Sequence, residues 1–186
     1  MIFNKHSNLA GQHAFLSASK YHWINYDDEK LDRTFVSAMA AQRGTELHAF
    51  AHDAIRLGIK MPRSRQTINL YINDAIGYRM TPELVLYYSD NCFGTADAIS
   101  FRRGQLRIHD LKTGTTATSE HQLEVYAALF CLEYRMKPIE IETELRIYQN
   151  DDVQIFEADP DVIFHIMDKI ITFDKRISAL RMEAEL

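Results

Sequence analysis

The sequence predicts an α/β protein, a mixed β-sheet flanked by helices. Three observations predict it. Polar and apolar residues alternate through 95–101 and 106–112, on either side of a short turn that contains glycine. A second pair of such runs, 139–148 and 153–156, brackets Asn150-Asp151. Apolar residues at helical spacing fill the chain before, between and after these pairs. The resulting order is helices, three strands, a helix, two strands and a helix, which suits one sheet layered with helices.

Composition sets the frame. A chain of 186 residues, 46 % hydrophobic and 25 % charged, can bury a core as one domain. The expected organisation is a single domain over 1–186. Within it, 1–80 is mainly helical, 81–158 carries the sheet and a core helix, and 159–186 is a C-terminal helix. No apolar run is long enough to span a membrane and no signal-peptide pattern opens the chain. Two cysteines, Cys92 and Cys131, are too few for a disulfide framework or a four-cysteine cluster and suit a reducing, cytoplasmic compartment. A net charge of −5 weighs against a generally basic nucleic-acid binder. A local basic patch or a bound metal can still reverse the field near a site.

In chain order, residues 1–15 are mixed and carry no expected element. Leu16 to Trp23 reads as a helix start with Ser17 or Ser19 as its N-cap, and Tyr21, Trp23 and Tyr26 give it an aromatic side. That side is either a packing face or a surface for stacking bases. Asp27 to Lys30 reads as a polar break. Thr34 to Leu57 reads as one helix, with Phe35, Met39, Leu47, Phe50, Ala54 and Leu57 as its apolar stripe. Gly44 inside it suggests close packing or a bend, and Gly44, His48 and His52 share one face. No Glu follows the first of these histidines as a zinc-protease helix requires.

Gly58 to Arg65 is a linker. Thr67 to Met80 is a second amphipathic helix, stopped by Thr81-Pro82. Glu83 to Tyr88 is a strand. After the first hairpin, Thr113 to Thr118 is a loop, and Ser119 with Gln122 fits a capping box opening the next helix. Asp159 caps the last helix, with Pro160 at its first position, and the helix runs to about Arg181.

The first hairpin carries the chemistry. A two-residue or a four-residue loop gives the same register: Phe101 faces Leu106, Ile99 faces Ile108, and Asp97 faces Asp110. Lys112 shares the side of Asp110. Two carboxylates opposite one another at the end of an apolar stripe repel, and one lysine cannot neutralise both. Either this is a solvated hairpin end or it is a place for a divalent cation.

Four segments in order carry a family resemblance: Gly44-Thr45-Glu46-Leu47-His48, Gly94-Thr95-Ala96-Asp97, Asp110-Leu111-Lys112-Thr113-Gly114 and Gln122-Leu123-Glu124-Val125-Tyr126. Together they resemble the RecB-like branch of the PD-(D/E)xK nuclease superfamily. Leu16 to Ser19 with Trp23 is similar to the start of phage-encoded, stand-alone exonucleases. The resemblance implies a restriction-endonuclease-like core. It implies His48, Asp97, Asp110 and the Leu111 backbone carbonyl as metal ligands, and Lys112 as the catalytic lysine beside Asp97 and Asp110. Gln122 and Tyr126 would steady that lysine and touch the DNA backbone; Gln122 could also serve the capping box. Asp110 stands where relatives often carry Glu, with shorter reach. The donor set suits Mg²⁺ or Mn²⁺. No iron–sulfur cluster is expected, because such relatives use four cysteines.

The function implied is metal-dependent DNA exonuclease activity in phage or mobile-element recombination, repair or degradation, in the cytoplasm of the host. DNA, double- or single-stranded, is the implied partner, with no membrane. A recombination partner protein and homo-oligomers are both compatible with it. The rivals are a structure-specific endonuclease and a non-catalytic nuclease-fold module that binds DNA or assembles with partners.

Overall fold

The computed structural model describes residues 7–9, 11–116 and 118–184. The expectation for the first residues therefore falls partly outside the described ones. The chain divides into two compact units, Met1–Arg43 and Gly44–Leu186.

In the first unit, two 3-10 stretches cover Ser7–Leu9 and Ala18–Asn25. Ser17 precedes the second but makes no side-chain cap. Its carbonyl accepts the Trp23 indole N–H at 2.9 Å instead. Helix α1 covers Asp28–Leu57 and thus starts earlier than the sequence suggests. The expected polar break is its N-cap: the Asp27 carboxylate accepts the Lys30 amide at 2.8 Å, and Asp28 and Glu29 fill the first turn, where acids favour the helix.

The second unit is a five-stranded mixed sheet flanked by helices. Strands β1 (Thr81–Ser89), β2 (Cys92–Arg102), β3 (Gln105–Leu111), β4 (Glu142–Gln149) and β5 (Asp152–Glu157) lie side by side in chain order. All neighbours are antiparallel except β3 and β4, which are parallel. A parallel pair needs a crossover, supplied by helix α3 (His121–Tyr134). Helix α2 (Thr67–Gly77) precedes the sheet and α4 (Pro160–Ala184) follows it.

Alternation along the strands feeds two cores. Ile99, Leu106, Ile108, Leu145 and Ile147 pack with Leu123, Ala127 and Phe130 of α3 and Ile163 of α4. Ala98, Leu111 and Tyr148 pack on the other face with Tyr71, Ile72 and Ala75 of α2 and Ala51, Ala54 and Ile55 of α1. The α1 stripe matches the expected one only in part: Ala54 is buried, Phe50 and Leu57 are exposed, and Ala51 and Ile55 complete the contact.

The β2–β3 and β4–β5 hairpins each turn on two residues with positive φ, Arg103-Gly104 (53° and 80°) and Asn150-Asp151 (53° and 58°). Such turns match the twist of the strands they join. Helix α2 ends at Gly77, short of Met80, because Arg79 takes φ 55°. The Arg79 amide returns to the Ile76 carbonyl and the Met80 amide to Ala75, which closes the helix as a Schellman motif. Thr81-Pro82 then opens β1 rather than merely stopping a helix, and β1 is an edge strand, where proline is tolerated. Helix α4 opens as expected, with the Asp159 carboxylate accepting the Asp161 amide at 2.9 Å. Among the described residues, no helix is long and apolar enough to cross a membrane.

Candidate metal centre

The β2–β3 register is the expected one: Phe101 pairs with Leu106, Ile99 with Ile108 and Ala98 with His109. Beyond that rung the ladder stops and side chains take over. The Asp97 carboxylate, through Oδ2, accepts the Leu111 amide at 2.8 Å. Asp97 and Asp110 therefore meet where the two strands part, with Leu111 held beside them.

A third acid joins from β1. Pro82 pairs with Ala98 and Leu84 with Ala96, so Glu83 stands opposite Asp97. Glu83 takes a left-handed φ of 50°. On the other strand, Ala96 and Ile99 both pack into the α3-side core although they are three residues apart. Simple alternation is broken at this rung, and a bulky non-glycine residue at positive φ stores strain there. Helix α1 supplies His48, whose Nδ1 lies 3.5 Å from Asp97 Oδ2. Ligand atoms of His48, Glu83 and Asp97 fall within 4.8 Å of one another.

Lys112 sits on the other side of the acids. Its Nζ is 3.0 Å from Asp110 Oδ2 and donates to Asp110 Oδ1 at 3.1 Å. The same ammonium donates to Gln122 Oε1 at 2.9 Å, and Gln122 Nε2 donates to the Tyr126 hydroxyl at 3.1 Å. The capping box is not formed. Helix α3 starts at His121 with Glu120 before it and no side-chain cap, because the Gln122 amide is turned to the lysine.

Electrostatics mark the acids as unusual. Burial pushes the Asp97 carboxyl above its ordinary value and Glu83 adds to the rise, while the Leu111 amide, His48 and Lys112 oppose it. Burial and the neighbouring Asp97 push Asp110 up, against the pull of Lys112. Burial and the acids' mutual repulsion thus outweigh the positive charge that Lys112 brings to the site, although its ammonium lies 3.0 Å from Asp110 Oδ2. Carboxylates, an imidazole and a deficit of positive charge fit a hard divalent cation.

Two of the three motif glycines, Gly44 and Gly94, have steric reasons; a Cβ at Gly114 would meet nothing within 4 Å among the described residues. A Cβ at Gly44 would come 2.7 Å from Thr113 Oγ1, and one at Gly94 would come 2.9 Å from Tyr126 Cε1. Gly44 and Gly94 each let another motif residue approach. His52 is not drawn in; its Nδ1 lies 3.3 Å from Asp53 Oδ1. Every side chain expected at the site is therefore gathered at one end of the sheet. Asp110 is engaged by the lysine more than by the His48 group. Glu83 is the residue that sequence reasoning missed. Its strand pattern, polar beside Leu84 and Leu86, is that of any exposed strand residue, and only pairing opposite Asp97 distinguishes it. A second group, Glu120, His121 and Glu124, is occupied internally by the pair of His121 Nδ1 and Glu124 Oε2 at 3.0 Å. No family model, curated protein or solved structure matches this chain.

Proposed function

We propose that this protein is a divalent-metal-dependent deoxyribonuclease with a PD-(D/E)xK core, acting as an exonuclease on DNA ends. One observation supports the reading above the others. Two partly buried aspartates with raised carboxyls, a histidine and a lysine converge where β2 and β3 part, and the lysine is fixed from two sides. His48, Glu83, Asp97 and Asp110, with the Leu111 carbonyl, would hold Mg²⁺ or Mn²⁺. When bound, the ion supplies Lewis acidity toward a phosphate oxygen and a more acidic water.

The chain's own residues do the rest. Asp110 and Gln122 hold the Lys112 ammonium in one place, so no reorganisation is needed when charge grows on the phosphate. Lys112, whose Nζ already donates to Asp110 and Gln122, orients the attacking water by donating a further hydrogen bond to it. Tyr126, tied to Gln122 through its hydroxyl and packed against Gly94 by its ring edge, limits the swing of that amide and would touch the substrate backbone. The deoxyribonuclease works in recombination, repair or DNA degradation in this reading.

The experiment is digestion of end-labelled linear and closed-circular DNA, single- and double-stranded, with Mg²⁺, Mn²⁺ or EDTA. Loss of linear DNA alone, stopped by EDTA and by Lys112→Ala, supports the proposal. Cutting of circles assigns an endonuclease instead. Full activity of Lys112→Ala, or none in the wild type with either ion, overturns it.

A further inference from the structure

At the end of the β2–β3 hairpin away from the acids lies a cleft of about 620 Å³. Arg79, Arg102, Arg103 and Arg107 line it, with Tyr78 behind and Glu142 at its edge. Arg107 belongs to the wall: it bonds Glu144 at 3.2 Å and lies over the Tyr78 ring at 4.5 Å. Arg79, Arg102 and Arg103 are exposed and, among the described residues, meet no acid and no hydrogen-bond acceptor. Three free guanidiniums around one concavity are unexpected on a chain of net charge −5.

Two of the three also stand where the backbone asks for something else. Arg79 occupies the left-handed position that closes α2, at φ 55°, where glycine is usual. Arg103 takes the first turn position at φ 53°, where asparagine or glycine is usual. Neither arginine helps the local structure, so a role for the side chain offsets the strain. Guanidinium forks match phosphate oxygens in pairs.

We propose that this cleft is a second nucleic-acid contact, which grips the phosphodiester backbone of DNA away from the Asp97–Lys112 centre. The inference builds on the nucleic-acid reading above but uses none of its catalytic residues. Arg102 lies five residue steps along β2 from Asp97, about 17 Å at the usual rise per residue. Phosphates repeat about every 3.4 Å along one strand, so the cleft engages DNA about five nucleotides from the reacting bond or farther. Such a contact would keep a long substrate attached between cuts.

The test is fluorescence anisotropy of a labelled 30-nucleotide duplex in EDTA, across a KCl series. Wild type is compared with Arg79→Gly/Arg102→Gln/Arg103→Asn. The glycine and asparagine suit the left-handed backbone, so the variant should melt no lower than wild type; Arg102→Gln alone repeats the test if it does not. The expected result is a fall of about 2 to 3 in the slope of log affinity against log salt, with affinity at low salt down about tenfold or more. Equal slopes, or no duplex binding by wild type at any salt, overturn the proposal. So does arginine-dependent binding of polyglutamate without binding of DNA, which would make the cleft a protein-docking site. If the slopes differ but wild type cleaves nothing, the cleft stands and the nuclease reading falls.

Discussion

Gly94 of β2 and the ring of Tyr126 on α3 are in contact so close that a Cβ at position 94 would lie 2.9 Å from Cε1. That contact fixes one end of a chain of hydrogen bonds, Tyr126 to Gln122 to Lys112, which ends on Asp110.

Gly94→Ala should therefore act on the lysine without touching it. The ring must move, Gln122 loses its stop, and Lys112 is held by Asp110 alone. An overpacked contact costs about 1–3 kcal/mol. A displacement of this size at a reacting centre can lower turnover by about tenfold to a hundredfold. Calorimetry should show unchanged Mn²⁺ affinity, since His48, Glu83 and Asp97 are untouched. Tyr126→Phe keeps the ring and loses only the hydroxyl, so it should fall between Gly94→Ala and wild type. Wild-type turnover in Gly94→Ala would show that the hydrogen-bond chain does not position the lysine.

Asp110→Asn reports whether the acids are strained without metal. Burial raises both carboxyls, so between the ordinary value of 3.8 and their raised values the native state holds protons that the unfolded chain has released. The stabilisation they contribute is present below the ordinary carboxylate value of 3.8 and is lost as pH rises through the raised values. At neutral pH in EDTA, Asp110→Asn should thus melt no lower than wild type, with a gain of up to about 1 kcal/mol from relieved repulsion. Manganese should invert the order. Wild type gains about 2.7 kcal/mol at a hundred times Kd, and the variant gains much less. Clear destabilisation of the variant in EDTA would instead make the Lys112 pair a structural one.

His109 predicts the opposite pH dependence on the other face of the sheet. It is fully buried, its Nδ1 lies 3.2 Å from the Tyr148 hydroxyl, and that hydroxyl donates to Asp74 at 2.7 Å. The hydroxyl proton being spent on Asp74, Nδ1 carries the imidazole proton, and Nε2 is left without a partner. Burial, with Arg146 and Arg107 nearby, pushes the imidazole down to about 3. Native His109 thus resists protonation that the unfolded chain accepts. Its contribution is intact above the ordinary value of 6.5 and is lost as pH falls toward 3. The whole effect is on the order of 4–5 kcal/mol. Urea midpoints should drop for wild type between pH 7 and 4, and drop less for His109→Gln, which keeps a donor for Tyr148. Parallel pH profiles would exclude His109 as the acid-sensitive group.

How much of this could be read from the sequence depends on distance along the chain. The hairpin register from Ala98–His109 to the turn follows from alternation and a short turn, both local, whereas the Asp97–Asp110 rung is not a ladder pair and Asp97 instead accepts the Leu111 amide. The parallel pairing of β3 with β4 does not, because it is set by α3 packing across them. The expected stripe on α1 holds at Ala54 and fails at Phe50 and Leu57, which look like core residues but are exposed, while Ala51 and Ile55 join Ala54 in the core. Gln122 fits a capping box as well as it fits a lysine contact, and only the position of Lys112 decides between them. Glu83 was illegible for the same reason: its role comes from an edge strand pairing with β2 and from a left-handed φ that no local residue type announces.

Glu83 also gives the sharpest test of the metal centre. If His48, Glu83 and Asp97 form one ligand group, Glu83→Gln and His48→Ala should weaken Mn²⁺ binding to similar degrees, by at least the roughly tenfold to hundredfold that loss of an outer-shell partner costs. Excess Mn²⁺ should then restore part of the activity of each. His52→Ala should bind and cut as wild type does, since its imidazole is turned to Asp53. Glu83→Gln carries a second signature. It removes a charge that raises Asp97, so the Asp97 carboxyl should titrate lower, whereas His48→Ala removes a group that lowers Asp97 and should move it up. NMR titration of the metal-free variants reads both shifts. Opposite shifts with matched losses of Mn²⁺ affinity place both residues around one ion. A Glu83→Gln protein that binds Mn²⁺ as wild type does would reduce the centre to His48 and the two aspartates, and would leave the strained backbone at Glu83 to be explained by the broken alternation at that rung alone.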